Sequence, residues 1–220
     1  MAESKNTLSS SGLMEEEKPE RLGLDTSRTI VRKIFDLYAP KITTQHLKCF
    51  IAGFGDQLPY DQYDEIVEGV WAHVSAYISP TAKITAPSII CGGASIGHFS
   101  HVSCSVIGAF AVIGDLSTVE NSIIFDKASM RGHNSVSHSI IGYYSKLEQG
   151  VIISDFCSST AKASSNAYSA SKVKEGAIIC DEAIIGAGCV VDPSAIVGLC
   201  ARIEPMTEVK GYYRPYYGIK

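Results

Sequence analysis

The chain has 220 residues, with 19 Lys and Arg against 23 Asp and Glu and a formal net charge of −4, so it lacks the clustered basic face that nucleic-acid binding requires. No apolar stretch approaches the length of a membrane span and the N-terminus lacks a charged-then-apolar leader pattern, so the sequence predicts a cytoplasmic protein with neither nucleic-acid nor membrane partners. Seven cysteines, odd in number and without C-x-x-C spacing, suggest neither a disulfide framework nor a zinc site.

In chain order, residues 1–24 are polar and mixed in charge, have little to bury, and read as a disordered tail. Residues 25–69 read as a helical cap. Ile30, Val31, Ile34, Phe35 and Leu37 stand at helical spacing within Thr26–Leu37, behind Asp25 or Thr26 as N-cap, and a second short helix is expected over Thr44–Phe54. Their expected task is to cover the open end of a repeat array, as capping elements do in solenoids.

From Ile78 the period changes to six: Ile78, Ile84, Ile90, Ile96 and Val102, each with a small residue two positions earlier (Ala76, Ala82, Ser88, Ala94, Ser100). The same ladder closes the repeat array with Ile179, Ile185, Val191, Val197, Ile203 and Val209, preceded by Ala183, Cys189, Ala195, Ala201 and Thr207. Residues two apart in a strand face the same way, so each repeat turns one large and one small group inward. Helices need spacings of three and four, and a flat strand only alternates. A six-residue period marks a β-helix, whose repeats bury their apolar faces only by stacking. The predicted fold is all-β: a left-handed parallel β-helix over residues 70–211 with three hexapeptides per coil.

Three five-residue steps, 102 to 107, 119 to 124 and 136 to 141, recur every seventeen residues and put the shortened edge on one side of successive coils. Three columns follow. Ile90, Ile107, Ile124, Ile141, Ile179 and Val197 form one; Ile96, Ile113, Met130, Leu147, Ile185 and Ile203 the next; Val102, Val119, Val136, Ile153, Val191 and Val209 the third. Ile153 and Ile179 lie 26 positions apart where one repeat would suffice, so residues 154–175, rich in Ser, Ala and Lys, form an inserted loop that leaves the register intact. Residues 212–220, aromatic and proline-containing, form a tail expected along the last coil.

The strings STVENSIIF from Ser117, HSIIGYYSKLEQGVIISD from His138 and GAIICDEAIIGAGCVVDPSAIVG from Gly176, with the weaker KIFDLYAP from Lys33, resemble the β-helix acyltransferase half of bifunctional N-acetylglucosamine-1-phosphate uridyltransferase/glucosamine-1-phosphate acetyltransferase enzymes. The Gly-rich loop on an α/β sheet that the uridyltransferase half depends on has no counterpart here. The resemblance implies acetyl-CoA as acyl donor, a sugar or sugar-phosphate acceptor, a homotrimer, and a histidine base for the attacking amine.

The family motif P-H-F-N-Y-V-G-D-S-I-L-G aligns with Arg131 to Gly142, which puts Gly132 where the base belongs, His133 one position along, Ser135 in place of the tyrosine and His138 in place of the aspartate. His133 and His138 are therefore the candidate bases. Where relatives place a phosphate-binding lysine, Glu120 runs directly into Asn121. Asn121, Arg131, Asn134 and Lys174 are the candidate acceptor contacts, and Ala187, Gly188 and Ala201 the small residues expected beside the cofactor. Column logic adds His98 beneath Asp115, a stack in which a carboxylate orients an imidazole. No metal is assigned, although a metal-dependent hexapeptide protein using His98, His101 and a third histidine is a further alternative. The main alternative is a non-catalytic β-helix scaffold or binding subunit that has lost the family's base and phosphate lysine.

Overall fold

The computed structural model describes residues 62–154 and 176–214. The expected helices Thr26–Leu37 and Thr44–Phe54, the loop with Lys174 and the end of the tail lie outside the described residues. What is described is an all-β parallel solenoid with no helix. Its strands fall into three sheets of nine, seven and seven strands, each taking every third strand of the coiled region. We call them the first, second and third faces in the order the chain visits them. Corners carry the same ordinals, the second corner joining the second face to the third.

The chain enters through a hairpin. β1 (Tyr63–Val67) pairs antiparallel with β2 (Val70–His73), the first strand of the first face. Residue 63 fell within the range read as helical cap, and that reading gives way here to strand. The two-residue loop Glu68–Gly69 closes β1 onto β2, with Gly69 at φ +75° and its N–H donating to Glu65 Oε1 at 2.6 Å, a left-handed turn that matches the twist of a hairpin.

The inward columns follow the six-residue ladder. Ile90 lies over Ala72, then Ile107, Ile124, Ile141, Ile179 and Val197 stack on the first face, and the other two columns pair rung to rung as the period requires. From Ile90 upward, nearly every rung is 0–2% exposed, and burying such a side chain contributes roughly 1.5–3 kcal/mol. Register survives the insertion, since Ile140 and Ile141 pair directly with Ile178 and Ile179.

Each five-residue step has a serine that completes its backbone bonding. Ser105, Ser122 and Ser139 donate Oγ to the carbonyls of Ser103, Glu120 and Ser137 at 2.7 Å each. The same hydroxyls of Ser105 and Ser122 accept the N–H of Ser122 and Ser139, and Ser139 Oγ accepts that of Ala177 at 3.0 Å. Corners then close in the left-handed conformation even at Phe99, Leu116, Lys127, His133 and His138. That conformation costs about 1–2 kcal/mol per residue, offset by coil-to-coil bonds such as His133 N–H to Asp115 O and His138 N–H to Glu120 O, both 2.9 Å.

The outside of the first face is unusual for a solenoid. Its outward row is Trp71, Ile89, Val106, Ile123, Ile140, Ile178, Ile196 and Tyr212, apolar or aromatic in every coil. Ile89, Val106 and Ile123 are 0–2% exposed on that outer side, whereas Ile196 and Tyr212 reach 38% and 63%. The lower first face therefore has the two-sided burial of a parallel sheet in an α/β protein. Tyr212–Tyr213 adds the ninth strand to the same face beside Ile196 and Val197, so the start of the tail continues the prism.

Candidate functional site

The candidate residues divide between two corners. His133 closes the second corner and His138 the third, at opposite ends of the strand Ser135–Ser137. At about 3.3 Å per residue they stand roughly 16 Å apart, far beyond the roughly 3 Å reach of one proton transfer. They cannot serve the same reacting nitrogen within one chain.

The third corner stacks Cys104, Asn121 and His138, and each corner N–H of Asn121 and His138 bonds to the coil below. Asn121 Oδ1 is buried with no hydrogen-bond partner among the described residues. A Cβ on Gly176 would stand 2.0 Å from the His138 carbonyl, so the chain returns from the insertion directly over His138. Asn121 and His138 are thus brought together beside the inserted segment.

The second corner carries, coil by coil, His98–Phe99, Asp115–Leu116, Gly132–His133, Gln149–Gly150, Ala187–Gly188 and Pro205–Met206. Gly150 (φ +73°) and Gly188 (φ +67°) succeed His133 in the column and leave a notch that is open at Gly150 and covered at Gly188 by the Met206 side chain. A Cβ at Gly150 would meet nothing nearer than the Gly188 nitrogen at 4.0 Å, while one at Gly188 would meet only the flexible Met206 side chain, its Sδ at 2.5 Å. His133 forms the lower wall and Met206, 82% exposed, the upper. Gly188 is among the small residues the sequence points to, whereas Gly150, three after the rung Leu147 just as Gly188 is three after Ile185, is not.

Several expectations need correction. Ala201 is fully buried within the core and cannot line a cofactor slot. Asn134 is 2% exposed; its Nδ2 donates to Arg131 O and its Oδ1 accepts Val151 N–H at 2.7 Å, so both polar ends serve the backbone and none faces an acceptor. Arg131 is exposed and ion-paired with Glu148 at 3.0 Å. Asp115 does not orient the His98 ring: its Oδ1 accepts the His98 backbone N–H at 2.7 Å. Hydroxyls hold the imidazole instead, with Nδ1 2.7 Å from Ser79 Oγ and 3.2 Å from Thr81 Oγ1. At Gly132, the position of the family base, a Cβ would come within 2.9 Å of Asp115 O. His101 stands on the third face, in the strand His101–Ser103, away from His98 on the corner, and among the described residues no three His, Cys, Asp or Glu side chains converge on a metal position.

A separate polar cluster is structural. Tyr63 packs edge-on against His73 at 5.0 Å, and His73 Nδ1 lies 2.8 Å from Ser75 Oγ. Burial pushes the Cys91 thiol up to about 12, with the nearby Asp126 charge acting in the same direction, and burial raises the Tyr63 phenol above its usual range. Asp126 itself is 3% exposed and accepts Ala109 N–H at 2.8 Å.

No protein-family profile and no curated protein matches the chain. Solved structures do. The acetyltransferase domain of PglB from Neisseria gonorrhoeae is 18% identical over 64% of this chain and 57% of that one, with a TM-score of 0.30. AntD, an N-acyltransferase from Bacillus cereus solved with dTDP-4-amino-4,6-dideoxyglucose and coenzyme A, is 18% identical over 69% and 77%, with a TM-score of 0.36. Perosamine N-acetyltransferase from Caulobacter crescentus, solved with CoA and GDP-perosamine, is 15% identical over 64% and 56%, with a TM-score of 0.22. The chain spans little more than half of the first and third of these. Identities and superpositions this low transfer no residue roles, so the chemistry rests on this chain's own side chains.

Proposed function

We propose that the chain is an acyl-CoA-dependent acetyltransferase-like protein that works as a trimer on a sugar or sugar-phosphate acceptor, with the second corner as its reacting edge. The observation that carries this is the notch: two left-handed glycines in consecutive coils with a histidine at one end. A thioester arm needs a track along bare backbone; Gly150 offers one, and Gly188, with Ala187 beside it, would extend it once the flexible Met206 side chain that lies over Gly188 swings aside. When bound, acetyl-CoA supplies an activated acyl group. His133 is the base that takes the proton from the acceptor nitrogen, and left-handed closure at residue 133 turns that side chain out of the prism. His138, in the same corner column as Asn121, is the competing base. Lys174 at the end of the insertion is the remaining acceptor candidate.

The departures from the family pattern favour one second reading, a non-catalytic scaffold. A Cβ at position 132 is too close to Asp115 O, and Glu120–Asn121 carries no lysine. Melting the full chain with and without CoA separates the two readings, since a ligand at 100 times its Kd adds about 2.7 kcal/mol. The enzyme reading requires that rise, its loss in Gly150→Asn (a residue that tolerates the left-handed corner), and retained CoA binding without acetyl-CoA thiol release in His133→Gln. No rise at millimolar CoA leaves the scaffold. Thiol release that persists in His133→Gln and stops in His138→Gln moves the base to the third corner. Sedimentation as a monomer would contradict the trimer.

A further inference from the structure

Below the notch, the second corner carries a second group of side chains that the proposed acyl transfer leaves unused. Phe99 and Leu116 are 66% and 50% exposed in consecutive coils, and His98 and Asp115 precede them at the same corner. Phe99 and Leu116 together make an exposed apolar step beside polar groups whose positions are fixed. Fixed they are. Ser79, only 1% exposed, and Thr81 both reach His98 Nδ1, Ser79 Oγ and Thr81 Oγ1 lie 3.1 Å apart, and Thr81 Oγ1 also accepts Phe99 N–H at 3.1 Å. Asp115 Oδ1 holds the His98 N–H and the Leu116 N–H donates to His98 O at 2.8 Å. Anchoring at Nδ1 leaves Nε2 as the outward polar atom of His98, and anchoring at Oδ1 leaves the second Asp115 oxygen outward.

Charge decides what this surface takes. Between Ser79 and Gly150 the formally charged side chains of this corner are Asp115, Arg131 and Glu148, and Arg131 is paired with Glu148. The uncompensated charge is Asp115, negative and next to His98. A phosphate there would meet the Asp115 carboxylate, with the nearest unpaired cation among the described residues, Lys83, on the third-face strand beyond Thr81, whereas sugar hydroxyls can both donate to Asp115 and pair with His98 while the C–H face of the ring covers Phe99. We propose that Phe99, His98 and Asp115 form a carbohydrate subsite for the unphosphorylated part of an amino-sugar acceptor, with Ser79 and Thr81 as positioning residues. This rests on the acetyltransferase reading for the acceptor's role, though not for its binding. His98 and His133 lie two coils apart, about 10 Å along the corner, room for one sugar ring between the subsite and the reacting nitrogen.

The test is calorimetric or NMR titration of the full chain with methyl 2-amino-2-deoxy-glucopyranoside and, separately, glucosamine 1-phosphate, beside a CoA melt. The glycoside should bind about tenfold or more tighter than the phosphate. Phe99→Ala, His98→Gln and Asp115→Asn should each weaken it about tenfold, and Asp115→Asn, which keeps an acceptor for the His98 N–H, should improve phosphate binding. Thr81→Val should weaken the glycoside and Thr81→Ser restore it, a rescue that a merely structural hydroxyl would not show in binding. Equal or tighter binding of the phosphate, binding indifferent to Phe99 and His98, or no binding of either probe at about 20 mM overturns the subsite. A chain that binds the glycoside through Phe99 but gains nothing from CoA keeps the subsite and loses the acetyltransferase; a CoA-stabilised chain with no such glycoside binding does the reverse.

Discussion

Replacing Asn134 distinguishes a site residue from a structural one. In the column two before the third-face rungs, Ser100 and Ser117 hand hydrogen bonds from coil to coil: Ser117 Oγ accepts Asn134 N–H at 3.3 Å and donates to Arg131 O at 3.4 Å. Asn134 continues the chain upward to Val151 N–H at 2.7 Å, and Val151, having no polar side chain, ends it. Asn134→Ala strands the buried Val151 N–H and removes one donor from Arg131 O. An unsatisfied buried group costs about 1–3 kcal/mol, so the expected loss is about 2–4 kcal/mol, with each kcal/mol lowering Tm by roughly 2–4 °C at this size. Asn134→Ser should recover most of it, because Ser117 does the same work one coil lower. Urea melts followed by far-UV circular dichroism give the difference, and CoA stabilisation should be the same in parent and variants. If Asn134→Ala stays within about 0.5 kcal/mol of the parent, the ladder argument is wrong and a surface role for Asn134 returns.

Cys91 makes stability fall at high pH. Its folded value of about 12 exceeds the unfolded 9.0, so the contribution is complete below pH 9 and is lost as pH rises from 9 to about 12, and Cys91→Ala should make the start of that fall shallower, while Tyr63, also raised, keeps the rest. Val106→Asp should lower Tm sharply while Ile196→Asp, in the same outward row but 38% exposed, changes it by about 1 kcal/mol or less, because only the first buries an unpaired carboxylate; equal effects would show that the lower first face is not covered. Gly132→His, which restores the family residue, should destabilise the chain and fail to raise acetyl-CoA turnover because its Cβ crowds Asp115 O at 2.9 Å. Higher turnover at unchanged stability would refute that steric account.

Most of the architecture was readable because a solenoid makes every coil repeat the same constraint. Rungs, five-residue steps and the insertion came from spacing, and the strand register agrees at each pair from Trp71–Ile89 to Ile196–Tyr212. The hairpin was not readable, since Tyr63–Val67 precedes the first repeat and has no period to reveal it. Two site assignments failed against the ladder's own rule: Asn134, taken as an acceptor contact, and Ala201, taken as a small residue beside the cofactor, stand two before Val136 and Ile203, which makes them inward. The His98–Asp115 stack was found as a pair of neighbours, but period cannot say whether a carboxylate takes the ring or the backbone above it. That choice depends on the corner's free N–H, and a left-handed corner turns this N–H toward the next coil.

The insertion and the two corners constrain one another. Ile140–Ile141 pairs with Ile178–Ile179 and Ile152–Ile153 with Val190–Val191, so the register of the rungs is the same before and after residues 155–175. Their two ends are fixed. Ser154 N–H donates to Val191 O at 3.3 Å, and Gly176 O accepts Ser194 N–H at 3.0 Å, which ties both feet to the coil above and leaves His138 and Asn121 beneath the return. The feet of the insertion thus stand at the third corner, while the glycine notch, His133 and the Phe99 subsite all occupy the second. One chain cannot bring the two corners together across a rigid, close-packed prism. An active site that used both would have to be completed by the third corner of a neighbouring copy.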